Sequence, residues 1–369
     1  MLSDDSTLRI ALVAPPWFQI PPEGYGGIEE MVARLVDGLG QRGHEVTLVA
    51  AGEDRTDADF ASTLRTTPEG LGGPDTMAIE LVHAQLANER LHEAGADIIH
   101  DHSAVGPLFA PYRDSPTVVT VHGPVAGWMR QVYRSLRSVS LVAISEAQRA
   151  SAPELPWVDT VYNGIDVASY PLVEEKEDYL LFLGRIHPDK GVVESIEVAR
   201  RLGRRLVIAA KCSDEPEKNY FDERVRPLLT SETDYVGDVD VTTKRELLGR
   251  AAALLFPIRW EEPFGLVMIE SMACGTPVLA TRRGSVPEVV DEGISGFIVD
   301  DVDEMVAAFR QIGDLSPRRI REQVFNRFDA SLMTRRYEAA YRMVLDGRQP
   351  ASETRHARSG DPAGRASIV

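Results

Sequence analysis

Short apolar runs alternate with amphipathic stretches along the chain, and this pattern predicts alternating strands and helices. Leu8 to Ala14 is an apolar strand-like run, and a second one ends at Ala50. Between them, apolar residues recur every three or four positions from Ile28 to Leu39, the spacing of a helix with one buried face. Alternation of this kind is typical of mostly parallel sheets covered by helices.

The same alternation continues through both halves of the sequence. Further strands are predicted within 97–100, 116–121, 141–144, 179–183, 206–210, 234–237, 251–258, 276–281 and 297–299. Further helices are predicted near 79–94, 192–202, 220–229, 302–312 and 328–345.

The charged, weakly apolar stretch 171–178 has the composition of an interdomain linker. We therefore predict a first domain of residues 1–170, completed by a C-terminal helix at about 328–346, and a second domain of residues 171–327. Residues 348–369 are rich in Arg, Ser, Pro and Gly and poor in apolar residues. This composition predicts a disordered tail.

Charge and cysteine content narrow the function classes. The chain has 369 residues, and its formal net charge of −17 disfavours nucleic-acid binding and broad attraction to an anionic membrane. Its two cysteines are too few for a disulfide framework. The polar N-terminus is unlike a signal peptide, and no apolar run approaches the length of a membrane span. The expected location is the cytoplasm.

The segment from Arg259 to Ala280 carries the strongest chemical signal. Pro263 and Gly265 interrupt regular structure, and a helix is expected to begin at Gly265 or Leu266 and to end before a left-handed Gly275. The N–H groups of Phe264, Gly265 and Leu266 then lie at a helix N-terminus, which can bind anions or hydroxyls.

Two carboxylates flank this helix N-terminus. Glu262 follows a strand, and Glu270 lies inside the helix. Both could contact a small polar ligand bound at the helix N-terminus. The alternative is that Glu262 only caps the helix and that Glu270 is a solvated surface residue.

Two further loops join a strand to a helix N-terminus. Gly26 and Gly27 precede the first helix, where backbone N–H groups can hold a phosphate, although Glu29 occupies the place of the third glycine in the dinucleotide fingerprint. A plain strand-to-helix turn is the alternative. In the second half, Arg185 and Lys190 lie between a strand end and a helix, within reach of one anion. The alternative for Lys190 is a local pair with Asp189.

Histidines and paired aspartates raise the question of a metal. His122 follows a predicted strand, at the edge of a parallel sheet where ligands bind. His100 and His102 end the preceding strand without an evident third ligand. Three Asp-x-Asp matches occur, at Asp57, Asp238 and Asp301. Such matches are expected by chance in so acidic a chain, and we expect no metal site.

From Leu8 to about Leu345 the sequence resembles the family 4 glycosyltransferases. Its features are Glu262-Pro263-Phe264-Gly265 with Glu270 eight residues after Glu262, Gly184-Arg185 followed by Lys190-Gly191, and the cleft histidine His122. The resemblance implies an α/β fold of the GT-B type, with two doubly wound Rossmann-like domains facing each other across a cleft. It also implies retention of the anomeric configuration.

The resemblance further implies a role for each candidate residue. Arg185, Lys190 and the helix N-terminus at Phe264, Gly265 and Leu266 would stabilise the departing diphosphate, with phosphate contact from Gly26 and Gly27. Glu262 would hold the sugar hydroxyls, Glu270 the ribose, and the main chain around Gly237 and Val239 the nucleobase. His122 would bind the sugar or polarise the reacting region. The donor would be a UDP- or GDP-hexose, with no other cofactor and no metal.

Other interpretations stay open at this point. The acceptor hydroxyl could belong to a glycan, a lipid or a small molecule. A sugar-nucleotide epimerase of the same architecture is the closest alternative. A nucleotide-dependent oxidoreductase would need dinucleotide-binding glycines that this sequence lacks. A sugar-binding module would not need the pair of cations, Arg185 and Lys190. Arg130, Arg134 and Arg137 recur at helical spacing. A solvated face is favoured for them over contact with an anionic acceptor or a membrane surface.

Overall fold

The computed structural model describes residues 6–24 and 26–347, so the tail predicted at 348–369 lies outside the described residues. The strands are β1 Arg9–Val13, β2 Glu45–Ala50, β3 Asp59–Ser62, β4 Ile98–Asp101, β5 Thr117–Val121, β6 Val139–Ala143, β7 Trp157–Thr160, β8 Tyr179–Arg185, β9 Arg205–Lys211, β10 Thr233–Gly237, β11 Ala253–Phe256, β12 Val278–Thr281 and β13 Gly296–Val299. The α-helices are α1 Gly27–Gln41, α2 Thr76–Ala94, α3 Gly127–Ser135, α4 Glu146–Ser151, α5 Val192–Leu202, α6 Glu215–Tyr220, α7 Val241–Arg250, α8 Leu266–Ala273, α9 Val286–Val289, α10 Val302–Ala308, α11 Pro317–Phe328 and α12 Ala330–Leu345.

The strands form two parallel sheets with the same winding. The first has the order β3-β2-β1-β4-β5-β6-β7, and the second has the order β10-β9-β8-β11-β12-β13. In each sheet the chain moves outward from its first strand in one direction and then returns to build the other side, as in doubly wound folds. The prediction of two Rossmann-like α/β domains is confirmed.

The apolar runs become strands that are buried on both faces. In β1 the four residues after Arg9 are buried, and in β5 all five are. Helices cover both faces of such a sheet, which explains continuous apolar runs in place of strict alternation. Helix α1 supplies the expected stripe, with Met31, Leu35 and Leu39 in the core of the first domain.

The C-terminal part differs from the prediction of one last helix starting at Phe328. Two helices are present: α11 ends at Phe328, and α12 begins at Ala330. Asp329 between them has an extended backbone, and its carboxylate caps α12 by accepting the N–H of Ser331. A capping aspartate after an apolar helix end is the signal that separates the two helices.

Helix α12 returns to the first domain and completes its core. Tyr337 and Tyr341 are fully buried there. The hydroxyl of Tyr341 lies 2.7 Å from Nδ1 of His100 at the end of β4. The hydroxyl of Tyr337 lies 3.0 Å from Oγ1 of Thr120 in β5.

The chain crosses between the domains at two places that are tied together. Ile165 donates its N–H to the carbonyl of Phe328 at 3.0 Å, and Ala330 donates to the carbonyl of Ile165 at 2.9 Å. A Cβ on Gly164 would lie 2.9 Å from the backbone of Ala330, so the two segments pack in direct contact. Arg321 adds side-chain hydrogen bonds to the carbonyls of Val167 and Tyr170 in the first crossing.

Candidate active site

A cavity of about 610 Å³ lies where the carboxyl ends of the two sheets meet. This is the position at which doubly wound sheets bind ligands. The residues that the sequence singled out come together here, from both domains. They are Gly26, Gly27, His122, Arg185, Lys190, Val239, Glu262, Phe264, Gly265, Leu266 and Glu270.

Lys190 lies at the end of a 3₁₀ turn between β8 and α5. Its ammonium is 2.6 Å from Oε2 of Glu262 and 4.6 Å from the centre of the Trp260 ring. The alternative of a local pair with Asp189 is therefore not what the structure shows. Gly191 is required beside it, because its φ is 77° and a Cβ would lie 2.0 Å from the carbonyl oxygen of Pro257.

Arg185 ends β8, and its guanidinium is less constrained than the ammonium of Lys190. Its Nη1 is 3.6 Å from Oε1 of Glu217, and its side chain is 41% exposed. Glu217 is itself held by the N–H of Ser213 at 2.8 Å. Arg185 lines the cavity and makes one long ion pair outside it, with Glu217. An anionic ligand that offers shorter contacts can replace this ion pair.

The backbone of Glu262 is fixed by the loop that precedes α9. Its carbonyl accepts the N–H of Ser285 at 2.9 Å. Gly284 packs so closely that a Cβ would lie 2.3 Å from the Glu262 carbonyl oxygen. Oε2 of Glu262 also accepts the indole N–H of Trp260 at 3.0 Å. The carboxylate is buried and held between a cation and a neutral donor.

Helix α8 begins at Leu266, as the sequence predicted, after Gly265 in the left-handed region with φ of 77°. No side chain among the described residues caps its N-terminus. Gly275 follows its end, again left-handed with φ of 75°. The first N–H groups of α8 therefore meet the cavity and can stabilise an anion there.

Glu270 is buried inside α8, which excludes the alternative of a solvated helix residue. Its Oε1 accepts the hydroxyl of Tyr170 at 2.9 Å and lies 2.6 Å from the ammonium of Lys244. Burial and this carboxylate raise the pKa of the Tyr170 phenol well above its usual range. The phenol is therefore a permanent donor to Glu270.

Sequence reasoning missed Lys244, Tyr170 and Trp260. All three line the cavity, where Tyr170 and Lys244 contact Glu270 and Trp260 contacts Glu262. Tyr170 is 100 residues away from Glu270 in the sequence. The available signal was weak: Lys244 follows the helix-capping Asp240 by four residues.

The glycine loop of the first domain touches the second domain. A Cβ on Gly27 would lie 2.8 Å from Cδ1 of Leu266, and one on Gly24 would lie 3.8 Å from the carbonyl oxygen of Val239. Gly26 has φ of 150° and packs against Pro22 and the carboxyl of Glu29. Burial raises the pKa of Glu29 to about 7, opposed by the charge of Lys211. The cleft is closed along this edge.

Three histidines form one cluster below the cavity. Nδ1 of His102 lies 2.9 Å from Nε2 of His122, and the rings of His100 and His102 are 3.9 Å apart. Burial lowers the pKa of His122 to about 3 and those of the other two well below the usual range. All three are neutral at physiological pH. His122 can therefore offer a hydrogen bond but not a positive charge.

The aspartates of the Asp-x-Asp matches have local structural roles where the structure shows their partners. Asp240 caps α7 by accepting the N–H of Thr243 at 2.7 Å, and Asp301 caps α10. Asp238 accepts the N–H of Val239 and lines the cavity. Within residues 6–24 and 26–347, no group of three or more His, Cys, Asp or Glu side chains is placed to hold a metal ion.

The arginine row lies on and after α3, a helix with no buried residue. Arg130 makes a paired contact with Glu154 at 2.7 and 2.8 Å. Arg137 donates to backbone carbonyls at the end of the helix. Across the described part of the chain, no helix is both long and apolar enough to span a bilayer.

Solved structures share this architecture. AviGT4, a glycosyltransferase involved in avilamycin A biosynthesis, superposes with a TM-score of 0.68 at 27% identity, covering 92% of this chain and 98% of that one. HepE from Anabaena, solved in complex with UDP-glucose, has a TM-score of 0.69 at 15% identity and covers 92% and 100% of the two chains. The fold is that of the GT-B glycosyltransferases.

Sequence comparison identifies the family. The model described as Glycosyltransferase Family 4 matches residues 25–169, and the model Glycosyl transferases group 1 matches residues 170–324. The alpha-maltose-1-phosphate synthase of Mycobacterium tuberculosis is 31% identical over 343 residues, which cover 79% of this chain and 84% of that protein. The chain belongs to the family 4 glycosyltransferases.

Proposed function

We propose that this glycosyltransferase moves a hexose from a nucleoside diphosphate sugar to an acceptor hydroxyl with retention of configuration. The observation that carries the proposal is the contact between Lys190 and Glu262, 2.6 Å apart at the N-terminus of α8. A cation for the leaving diphosphate and a carboxylate for the sugar are thereby adjacent. The UDP-glucose complex of HepE supports a UDP-hexose as the first donor to test, with a GDP-hexose as the second.

The leaving group carries the charge that needs stabilisation. Arg185, Lys190 and the N–H groups at Gly265 would surround the diphosphate as the glycosidic bond breaks, since fixed charges and dipoles are most effective where charge develops. These donors come from three chain segments that the second sheet positions together. Arg185 would exchange its long contact with Glu217 for the phosphate.

The two buried carboxylates would serve different ends of the donor. Glu262 would accept sugar hydroxyls while Lys190 turns to the phosphate. Glu270, supported by Tyr170 and Lys244, would accept the ribose hydroxyls, and the main chain at Val239 would contact the base. Neutral His122 would donate to or accept from the sugar. No carboxylate is assigned as a nucleophile, so a front-face substitution is proposed over a covalent intermediate.

The proposal is tested in two steps. A thermal-shift series with UDP, GDP and ADP should give one diphosphate that raises the melting temperature, because a ligand that binds only the native state stabilises it. NMR of the first product from the matching α-linked sugar donor should show an α-glycoside. A β-glycoside would contradict retention. Release of diphosphate without transfer, together with an epimerised sugar, would instead establish the epimerase.

A further inference from the structure

The two walls of the cleft differ in charge. Within the described residues, the Lys and Arg side chains that line the cavity all belong to the second domain: Arg185, Lys190, Lys244 and Arg245. The first-domain wall carries carboxyl groups instead: Glu29, Glu30 and Glu80. Its histidines are neutral, because burial lowers their pKa values far below the usual range.

One carboxyl of the first-domain wall is paired with a cation, and the other two are not. Glu30 is neutralised by Arg34 at 3.0 Å. Glu29 is only 3% exposed and forms no ion pair with the described residues; the charge of Lys211, in the second domain, acts on its carboxyl from beyond ion-pair distance. Glu80 accepts the indole N–H of Trp17 at 2.6 Å, a neutral donor, and it forms no ion pair with the described residues.

The same wall also offers what an uncharged polar ligand needs. Trp17, Phe18 and Tyr133 supply aromatic surface to the cavity. Nε2 of His102 and Oδ1 of Asn163 have no hydrogen-bond partner among the described residues, although both side chains line the cavity and are about 95% buried. A buried polar atom without a partner is unfavourable. A ligand hydroxyl can donate to Oδ1 of Asn163, and it can donate to Nε2 of His102 or accept from it according to the tautomer.

We propose that the first-domain wall binds an uncharged, hydroxyl-rich acceptor, a sugar or a polyol, and that Glu29 and Glu80 discriminate against acceptors carrying a phosphate. This inference rests on the proposed function, because it places the anionic diphosphate on the opposite wall. A phosphate on the first-domain side would meet like charge without a lining cation, and such juxtaposition is strongly unfavourable. Hydroxyl groups would instead donate to the carboxylates and to Asn163.

The test compares matched probes with the donor side filled. The protein is saturated with the diphosphate that gives the largest thermal shift, at about pH 8, above the pKa of Glu29. Saturation-transfer NMR then measures binding of glucose against glucose 6-phosphate, and of myo-inositol against inositol 1-phosphate. We expect each neutral probe to bind about 10-fold more tightly than its phosphorylated partner, the factor that corresponds to about 1.4 kcal/mol.

Glu29→Gln should reduce that preference about threefold or more, because the amide keeps the shape and loses the charge. Glu45→Gln, the same change at an exposed position of β2 outside the cavity, should leave the preference unchanged. Equal or tighter binding of the phosphorylated probes by the wild-type protein would overturn the proposal, and so would the absence of any signal from the neutral probes. Failure of every diphosphate to bind is a separate result, which contradicts the proposed function itself.

Discussion

The carboxylate of Glu288, in the second domain, accepts the backbone N–H of Ala147 in the first domain at 2.6 Å. It also accepts the N–H of Glu146 at 2.7 Å and the hydroxyl of Tyr162 at 3.1 Å. A side chain of one domain thus caps helix α4 of the other. Because these bonds require the cleft to be closed at this edge, Glu288 favours the closed state.

Glu288→Gln should weaken closure. Replacing a charged cap by a neutral one removes about 1 kcal/mol, or about a fivefold change in the ratio of closed to open molecules. We expect a larger radius of gyration by small-angle scattering without donor, and a higher KM for the donor. Glu322→Gln, the same change at an exposed position of α11, is the control. An unchanged radius and KM would show that closure does not depend on this cap.

Arg185→Ala should lower turnover by about 10²-fold, the loss seen when one stabiliser of a developing anion is removed. The melting temperature should barely change, because Arg185 is 41% exposed and its ion pair with Glu217 is long. Steady-state assays at saturating donor measure the effect, with Arg259→Ala as a matched control on the exposed surface. Near-normal turnover in Arg185→Ala would remove this residue from the diphosphate site.

Lys190→Ala should lower turnover similarly but also destabilise the protein. The change leaves the buried carboxylate of Glu262 with only the Trp260 indole as a partner, and stranding a buried charge costs about 3 kcal/mol. The double variant Lys190→Met with Glu262→Gln should recover most of the lost stability and none of the activity. Denaturant unfolding and turnover, measured on the same samples, separate the two effects.

Substitutions of Glu262 and Glu270 should change the affinity for the free nucleoside diphosphate to different extents. Glu270→Gln should weaken binding of both the nucleoside diphosphate and the nucleotide sugar, because its proposed partners are ribose hydroxyls. Glu262→Gln should leave binding of the diphosphate nearly intact and lose mainly turnover, since its proposed partners exist only on the sugar. Titration calorimetry with the diphosphate alone distinguishes them. Equal losses in both variants would make Glu262 a nucleotide ligand or a structural residue.

The raised pKa of Glu29 predicts a specific pH dependence of stability. The folded protein keeps the Glu29 carboxyl protonated up to about pH 7, whereas in the unfolded chain this carboxyl loses its proton near the ordinary glutamate pKa. The unfolded state is therefore favoured increasingly as pH rises between those values. Relative to wild type, Glu29→Gln should gain about 2 kcal/mol on going from pH 5 to pH 8. Chemical denaturation at both pH values measures this difference, and a constant difference would show that Glu29 titrates normally.

Activity should survive EDTA, because in the proposed mechanism Arg185 and Lys190 stabilise the diphosphate in place of a divalent cation. Assays with EDTA, and then with added Mg²⁺ or Mn²⁺, check this expectation. Loss of activity that either ion restores would direct attention to Asp238, which lines the cavity.

Local patterns predicted most of the architecture and grouped residues that line one cavity. Residues at strand ends, such as His122 and Arg185, were placed correctly at the cleft because parallel strands deliver their carboxyl ends to one edge. Left-handed glycines such as Gly275 marked helix ends for a steric reason. These signals depend on a few neighbouring residues and are therefore present in the sequence itself.

Partnerships across long sequence distances could not be predicted. Lys190 lies beside Asp189, yet its ammonium contacts Glu262, 72 residues away. Glu270 is the single charged residue of the apolar helix α8, and the sequence does not show that Tyr170 and Lys244 approach it and make its burial acceptable. Helix α11 was not predicted, because its apolar residues Ile320, Val324 and Phe328 are separated by mostly charged and polar ones; the predicted last helix begins at Phe328, two residues before α12.

The paired crossings at Ile165 and Ala330 restrict how the enzyme can open. A single chain segment between two domains permits one domain both to bend towards the other and to rotate about the axis of that segment. Two crossings joined by reciprocal backbone hydrogen bonds resist swivelling, because rotation would break the pair, but they still permit bending about one axis. The cleft should therefore open as a hinge with one degree of freedom, so that Gly27 and Leu266 return to the same contact at each closure.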